Sequence, residues 1–344
     1  MNRRHRSSPV GEGGPRSGGG GGPRTPVVAV APSTKLRKVP LPQGGRIFGA
    51  VDRRGILTGL GAVGLLGCSN PAAVADVVPA RSIAVDFGPL EAGHGGRLGF
   101  VAQAPGGDQV SWRGDERFVY CSTFKMFLAA AVLLRVQAGQ ERLDREIAVT
   151  AADMVNHAPV TEPALGGTLT VQRLMQAVVE VSDNPAANIL LREIGGLDDM
   201  QAFYRGLGDL LTRVDRFEPE MNRLDGDKDT ITPGQAAVNL ERLFVSSDSP
   251  LNAASKEMLL GWMFASPTGA DRLKAGAPAG WRAAHKTGTG GYGPTNDIGL
   301  LYPPSGAPVI VAAYFHGAAA STPAQREAVI ADATRMALGA LGHG

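Results

Sequence analysis

The chain has 344 residues, with 43% hydrophobic and 19% charged residues, which is enough for one large globular domain or two lobes. Its formal net charge is only +2, but residues 1–54 carry eleven Lys and Arg against two acids. They therefore contribute +9 and leave −7 for the remainder. Two cysteines are too few for a disulfide framework, so the class of small disulfide-stabilised domains is excluded.

Residues 1–54 are rich in Gly, Pro and Arg and include the glycine run Gly18–Gly22. Such a composition cannot bury a core, so we expect this basic tail to be disordered. Basic tails are also typical of nucleic-acid-binding arms. The segment that follows favours an export signal instead, and we expect no nucleic-acid partner.

The export-signal region covers residues 52–75. Arg53 and Arg54 precede an uncharged stretch, which resembles a twin-arginine signal and is too short and glycine-rich to span a membrane. Two endings remain open. Leu65-Leu66-Gly67-Cys68 resembles a lipobox with a lipid anchor at Cys68, whereas Ala73-Val74-Ala75 fits ordinary signal cleavage. The lipobox-like ending accounts for the presence of Cys68. With one ending or the other, the sequence predicts a periplasmic or lipid-anchored protein.

The remaining sequence alternates between strand and helix patterns. We predict an α+β fold in which a five-stranded antiparallel sheet is flanked by N- and C-terminal helices and interrupted by an all-α lobe. The sheet lobe comprises residues 76–115 and 265–344, and the α lobe comprises residues 116–264. The predicted helices are 81–92, 170–181, 186–194, 232–245 and 322–341, and the predicted strands are 97–102, 109–112, 283–292, 297–302 and 309–315.

Ser122 and Lys125 precede a segment, residues 126–134, that is apolar on every face and therefore predicts a buried helix. Residues three apart share a helix face, so the hydroxyl and the amine should lie side by side. The positive helix N-terminus and burial both favour a neutral lysine. The pair thus predicts a serine nucleophile with a neighbouring base, although a simple N-cap serine is the alternative.

Ser182-Asp183-Asn184 follows an apolar helix, at a turn between two helices. Ser182 is a candidate for proton relay to a leaving amine, and Asn184 is a candidate for binding a substrate amide. The alternative is an ordinary turn before Pro185.

Lys286-Thr287-Gly288-Thr289 lies on a predicted strand. Glycine there lets another backbone or a ligand approach closely, and the lysine and the hydroxyls are suited to binding a carboxylate. A glycine-rich sheet edge is the alternative.

Glu218 and Asn222 lie in a loop that runs from Arg216 to Asp229. A glutamate before Pro219 is often a surface turn, but this acid and amide together are suited to holding a hydrolytic water.

With these four motifs present in this order, the chain from about Arg81 to its end resembles the class A serine β-lactamases. The pair formed by Glu218 and Asn222 distinguishes class A from the related peptidases. The resemblance implies the serine β-lactamase fold with a site between two lobes. It also implies hydrolysis of penicillins and cephalosporins, resistance to these antibiotics, a monomer, small-molecule β-lactam substrates, and no metal or other cofactor.

The resemblance also implies roles. Ser122 attacks the lactam carbonyl, Lys125 and Glu218 share the base work, and Ser182 passes a proton to the lactam nitrogen. Glu218 with Asn222 activates the water that cleaves the acyl-enzyme. Backbone N–H groups of Ser122 and Thr289 form the oxyanion hole.

Substrate contacts carry over in the same way. Lys286, Thr287, Gly288 and Thr289 face the carboxylate of the substrate, and Asn184 faces its side-chain amide.

Several positions depart from the common family pattern. Thr295 stands where many members have an arginine that binds the carboxylate, and Arg272 takes over that task in one subset. His157 stands where an aromatic residue usually walls the site. Gly290 replaces the cysteine that would pair with Cys121, so that disulfide is not expected. The loop that contains Glu218 also looks about two residues shorter than usual.

Two other functions share parts of this pattern. A peptidoglycan DD-peptidase would have the serine and both lysines without needing Glu218. A penicillin-binding sensor would be acylated by β-lactams and would not turn over.

Overall fold

The protein is described here by a computed structural model that covers residues 81–291 and 293–343. The predicted tail and export signal lie outside the described residues. The described residues belong to one compact unit, 73–344. Across these two ranges, every helix is either too short or too polar to cross a membrane.

The described residues form the strands β1 (Ser82–Ile83), β2 (Gly96–Gln103), β3 (Gln109–Trp112), β4 (Phe118–Val119), β5 (Glu146–Ala148), β6 (Thr168–Thr170), β7 (Thr230–Ile231), β8 (Arg282–Thr289), β9 (Pro294–Tyr302) and β10 (Val309–Gly317). Six of these strands form the main sheet, in the order β1-β3-β2-β10-β9-β8. The other four form two sheets of two strands each, β4 with β7 and β5 with β6. The five predicted strands are confirmed as an antiparallel group, and the short β1, parallel to β3, adds a sixth.

The first helix differs from its prediction. Residues 81–92 were expected to be helical, but the chain forms β1 first and its helix α1 covers only Gly88–His94. Ile83, Val85 and Phe87 point inward at every second position, which is a strand periodicity. The helix begins only where Pro89 fits its first turn.

Eight further α-helices follow in the described part of the chain after His94. They are α2 (Phe124–Gln137), α3 (Val171–Glu180), α4 (Asn184–Ile194), α5 (Leu197–Gly206), α6 (Pro233–Leu240), α7 (Ala253–Ala265), α8 (Leu273–Gly276) and α9 (Pro323–Ala340). The predicted helices over 170–181, 186–194 and 322–341 are confirmed within two residues, whereas the one over 232–245 ends as α6 and continues as a π-helical turn, Glu241–Val245.

The sheet separates two hydrophobic cores. Phe100 and Phe315 face α1 and α9 on one side, and Val101 and Tyr314 face the core built around α2 on the other. Every residue of α2 from Phe124 to Leu133 is buried, which confirms the predicted central helix. Strand β8 contacts the 3-10 turn Cys121–Thr123 that precedes this helix, so the edge of the sheet meets Ser122. The predicted lobe boundaries stay a prediction.

Candidate active site

Ser122 lies in a single 3-10 turn, Cys121–Thr123, that leads directly into α2. No side chain caps either segment, so the alternative of a simple N-cap serine is wrong. The Ser122 hydroxyl instead lies 3.4 Å from Glu218 Oε1. The turn therefore presents a hydroxyl to a carboxylate rather than to its own backbone.

Lys125 lies one turn further along and its side chain is completely buried. Its ammonium is 3.0 Å from Glu218 Oε1 and 2.8 Å from the Ser182 carbonyl, and it also donates to Asn184 Oδ1. Burial lowers the pKa of Lys125, and the neighbouring Glu218 opposes that shift. One buried amine thus joins three of the four sequence motifs.

Ser182 lies between the two motif lysines. Its hydroxyl is 3.4 Å from Lys125 Nζ and accepts a hydrogen bond of 3.1 Å from Lys286 Nζ. Its backbone has a φ of 62°, a left-handed conformation that costs energy for a serine. Asp183 holds this turn, because its buried carboxylate accepts from Thr161 and caps α4 at Ala186.

Asn184 and His157 form one wall of the cleft. The Asn184 amide donates to the Asn156 carbonyl at 2.9 Å, and its backbone N–H donates to the His157 carbonyl at 3.0 Å. His157 has a φ of 61° and its Nε2 lies 2.9 Å from the Val181 carbonyl. The predicted histidine is an exposed loop residue that lines the cleft and contacts the turn that carries Ser182.

Glu218 is held from both sides. Asn188 on α4 accepts from its N–H and donates to its carbonyl, both at 2.9 Å, and Asn222 Nδ2 donates to Oε2 at 2.5 Å. Arg216 and Asp229 pair at 2.6 Å across the neck of the loop, as the sequence indicated. The shorter loop thus still brings Glu218 to Ser122, which excludes the surface-turn alternative.

Asn188 is a site residue that the sequence analysis missed. It lies four residues after Asn184 on α4, so the two amides share a helix face. That spacing was the only signal available, because its partner Glu218 is thirty residues away.

The carboxylate-binding motif lies on β8 beside Ser122. Lys286 is completely buried and donates to Thr287 O at 2.9 Å in addition to Ser182. Burial and then the neighbouring Lys125 place the pKa of Lys286 well below its usual range. A Cβ on Gly288 would lie 2.7 Å from the Tyr120 carbonyl, so the close approach predicted for this glycine is present.

Arg272 reaches the same place from the segment before α8. Its guanidinium donates to Thr289 Oγ1 and Asn296 O at 2.9 Å, and it pairs with Glu327 at 3.1 Å. Only 8% of its side chain is exposed, so Arg272 is not a solvated surface arginine. Thr295 instead accepts a hydrogen bond from Arg326.

The site is arranged around one cleft of about 650 Å³. Cys121 is free and buried behind it, and burial raises the pKa of its thiol. Among residues 81–291 and 293–343, no three His, Cys, Asp or Glu side chains are grouped to hold a metal ion. The predicted residues that line the cleft are Ser122, His157, Ser182, Asn184, Asn222, Arg272, Thr287 and Thr289.

A serine, a buried lysine and a carboxylate around one cleft define a serine hydrolase site of the acyl-transfer type. The comparisons with known proteins identify which one. The β-lactamase enzyme family matches residues 83–341. The carbapenem-hydrolyzing β-lactamase KPC of Klebsiella oxytoca is 40% identical over 264 residues, 76% of this chain and 89% of that protein. β-Lactamase L2 of Stenotrophomonas maltophilia is 40% identical over 270 residues, covering 77% and 88%.

Solved structures agree. An ancestral class A β-lactamase (GNCA) has 45% identity and a TM-score of 0.70, covering 73% of this chain and 96% of that one. A β-lactamase from Xanthomonas campestris has 42% identity and a TM-score of 0.70, covering 73% and 94%. The chain belongs to the β-lactamase enzyme family, and its fold and relatives are those of class A.

Proposed function

We propose that this enzyme hydrolyses the lactam amide through an acyl-enzyme on Ser122, with Glu218 as the base for the water that releases it. The observation that carries the proposal is the position of Glu218. One of its oxygens contacts both Ser122 and Lys125, and the other accepts from Asn222. A peptidase or sensor does not need this carboxylate, so both alternatives are disfavoured.

In the acylation step, Ser122 Oγ bonds to the lactam carbonyl carbon and the ring C–N bond breaks. The hydroxyl proton leaves towards Glu218, which contacts Ser122, or towards Lys125, which contacts the same Glu218 oxygen. The lactam nitrogen takes up a proton through Ser182, whose hydroxyl lies beside Lys125. Backbone N–H groups of Ser122 and Thr289 stabilise the oxyanion in this proposal, each contributing about 3 kcal/mol.

In the deacylation step, a water attacks the Ser122 ester. Asn222 Oδ1 is buried and has no hydrogen-bond partner among the described residues. A water that donates one hydrogen bond to this oxygen and the other to Glu218 is held beside Ser122. Its oxygen bonds to the ester carbon while Glu218 takes the proton directed at it. The bond from that carbon to Ser122 Oγ then breaks, Glu218 returns the proton to Oγ, and the acid product leaves, so the cycle needs no reactant other than water.

The substrate carboxylate binds at the other end of the cleft in this proposal. Lys286 and Arg272 supply positive charge there, and the hydroxyls of Thr287 and Thr289 supply hydrogen bonds. Asn184 and His157 lie at the wall that would contact the amide side chain. The relative KPC is named for carbapenem hydrolysis.

The test of the nucleophile is Ser122→Ala. We expect turnover of a chromogenic cephalosporin to fall by roughly a millionfold, because Ser122 is the hydroxyl that contacts Glu218 among the described residues. Thr123→Ala is a matched control, since this neighbouring hydroxyl bonds the Tyr120 carbonyl instead. Appreciable hydrolysis by pure Ser122→Ala protein would contradict the proposal.

We also propose that the enzyme is exported, lipid-anchored at Cys68 and active as a monomer. The twin arginines and the lipobox-like sequence support the first two, and a cleft assembled by a single chain supports the third. Labelling cells with a palmitate analogue should mark the wild type but not Cys68→Ala. An unlabelled mature protein that begins at Asp76 would show ordinary cleavage instead.

A further inference from the structure

A buried acid–histidine pair lies directly behind the strand that carries Lys286. His285 and Asp297 are both completely buried, and His285 Nδ1 lies 2.8 and 2.9 Å from the two Asp297 oxygens. A carboxylate only accepts hydrogen bonds, so Nδ1 carries the proton. His285 Nε2 is buried without a partner among the described residues. The hydrogen bond from Nδ1 to the carboxylate is therefore the contact that fixes the position of both side chains.

The sheet is built to accommodate this pair. His285 on β8 is opposite Gly299 on β9, and Asp297 lies two residues before that glycine, so the two side chains are diagonal neighbours on one face. A Cβ on Gly299 would lie 2.1 Å from the Ala284 carbonyl oxygen and 2.9 Å from His285 Cβ, so a larger residue would displace the segment of β8 that carries the imidazole. The glycine thus gives His285 its room.

The Asp297 carboxylate contacts the chain next to both Lys286 and Arg272, the two cations proposed to bind the carboxylate of the substrate. One of its partners, His285, immediately precedes Lys286. Its second partner is the backbone N–H of Leu273, at 3.3 Å, which immediately follows Arg272. A shift of this carboxylate would therefore move the backbone next to each cation.

The charges that act on Lys286 also support a link to Asp297. The charges of Lys125 and Arg272 disfavour the protonated form of Lys286, and the charges of Asp297 and Glu218 favour it. Of the two acids Asp297 has the larger effect, and it pairs across the strands with Thr287, the residue after Lys286. Its charge offsets part of the repulsion between the cations.

We propose that Asp297 and His285 are positioning residues that hold Lys286 and Arg272 in place for the carboxylate of the substrate. This inference rests on the proposed function, because it assigns these two cations to that carboxylate. Neither Asp297 nor His285 touches the substrate, so their effect should depend on whether the substrate carries the negative charge.

The experiment compares benzylpenicillin with its methyl ester. In Asp297→Asn we expect the ratio of kcat/KM for the acid to that for the ester to fall about tenfold, the effect of one lost hydrogen bond to a charged group. The ester alone should be turned over within about threefold of the wild-type rate, since it lacks the charge.

Asp209→Asn is the matched control. Asp209 is another completely buried carboxylate, bonded to Thr212 and Asn239, and it is not part of the cleft. Its substitution should lower stability and leave the acid-to-ester ratio unchanged. A ratio that fell equally in both variants would show a general loss of packing and overturn the inference.

His285 provides a second variant if Asp297→Asn does not fold. His285→Ala keeps the carboxylate but removes its donor, and should lower the ratio, whereas His285→Asn restores a donor and should recover most of it. An unchanged acid-to-ester ratio in folded His285→Ala would overturn this inference and leave the proposed function standing. Failure of the wild type to form an adduct on Ser122 would instead overturn the proposed function.

Discussion

The two buried lysines of the cleft are equally hidden from water but differently compensated. Lys125 forms an ion pair of 3.0 Å with Glu218. Among the residues that the structure describes, Lys286 bonds only the Ser182 hydroxyl and the Thr287 carbonyl and forms no ion pair. Burial lowers the pKa of both amines, but a second cation, Lys125, adds to the shift at Lys286.

This difference in compensation suits one lysine to proton transfer and the other to binding of an anion. A buried charge without a partner is costly, so an anion that reaches Lys286 is strongly favoured. Lys125 already has its anion, and its lowered pKa suits an amine that exchanges protons with Ser122. The end of the cleft near Lys125 is therefore suited to chemistry, and the end near Lys286 to binding.

Of the substitutions that compare the two ends of the cleft, Lys125→Met should have the largest effect, because it keeps the volume of the side chain and removes the amine. Acylation by a cephalosporin should slow by roughly a thousandfold or more, because Ser122 loses a proton acceptor and Glu218 loses its partner. Stopped-flow measurement of acylation gives the rate.

Lys286→Met is the matched control for that experiment. It should weaken the reaction mainly for substrates with a carboxylate and spare their methyl esters. The proposed difference between the two lysines would be contradicted if activity on the acid and activity on the ester fell in the same proportion in both variants.

A smaller effect is expected for Arg272→Ala. KM for substrates that carry a carboxylate should rise about tenfold, since Thr295 has no charge to offer and Lys286 alone remains. Steady-state kinetics with benzylpenicillin measures it, and inhibition by carboxylate-bearing mechanism-based inhibitors should weaken in parallel. Unchanged values would show that the arginine only supports Thr289 and Asn296.

Local motifs made much of this site predictable. The apolar run after Lys125 could only be a central helix, and it fixes Ser122 and Lys125 on one face. The Glu218 loop was predictable because its acid, its amide and its neck pair all lie within fourteen residues.

Features that depend on distant partners were not predictable. Asn188 and Glu218 meet across thirty residues, and His285 meets Asp297 through strand register. The N-terminal helix was misplaced because Ile83, Val85 and Phe87 follow a period of two that a helix-length window obscures.

The most direct test of the account is the reaction of Glu218→Ala with penicillin. Ser122 and Lys125 remain, so the lactam should still open, and the resulting ester should persist because no carboxylate activates water. We predict one burst of about one equivalent, with the penicilloyl mass on Ser122, and then no turnover. Turnover at the wild-type rate would contradict the role of Glu218, and a stable adduct already present in the wild type would indicate a sensor or peptidase.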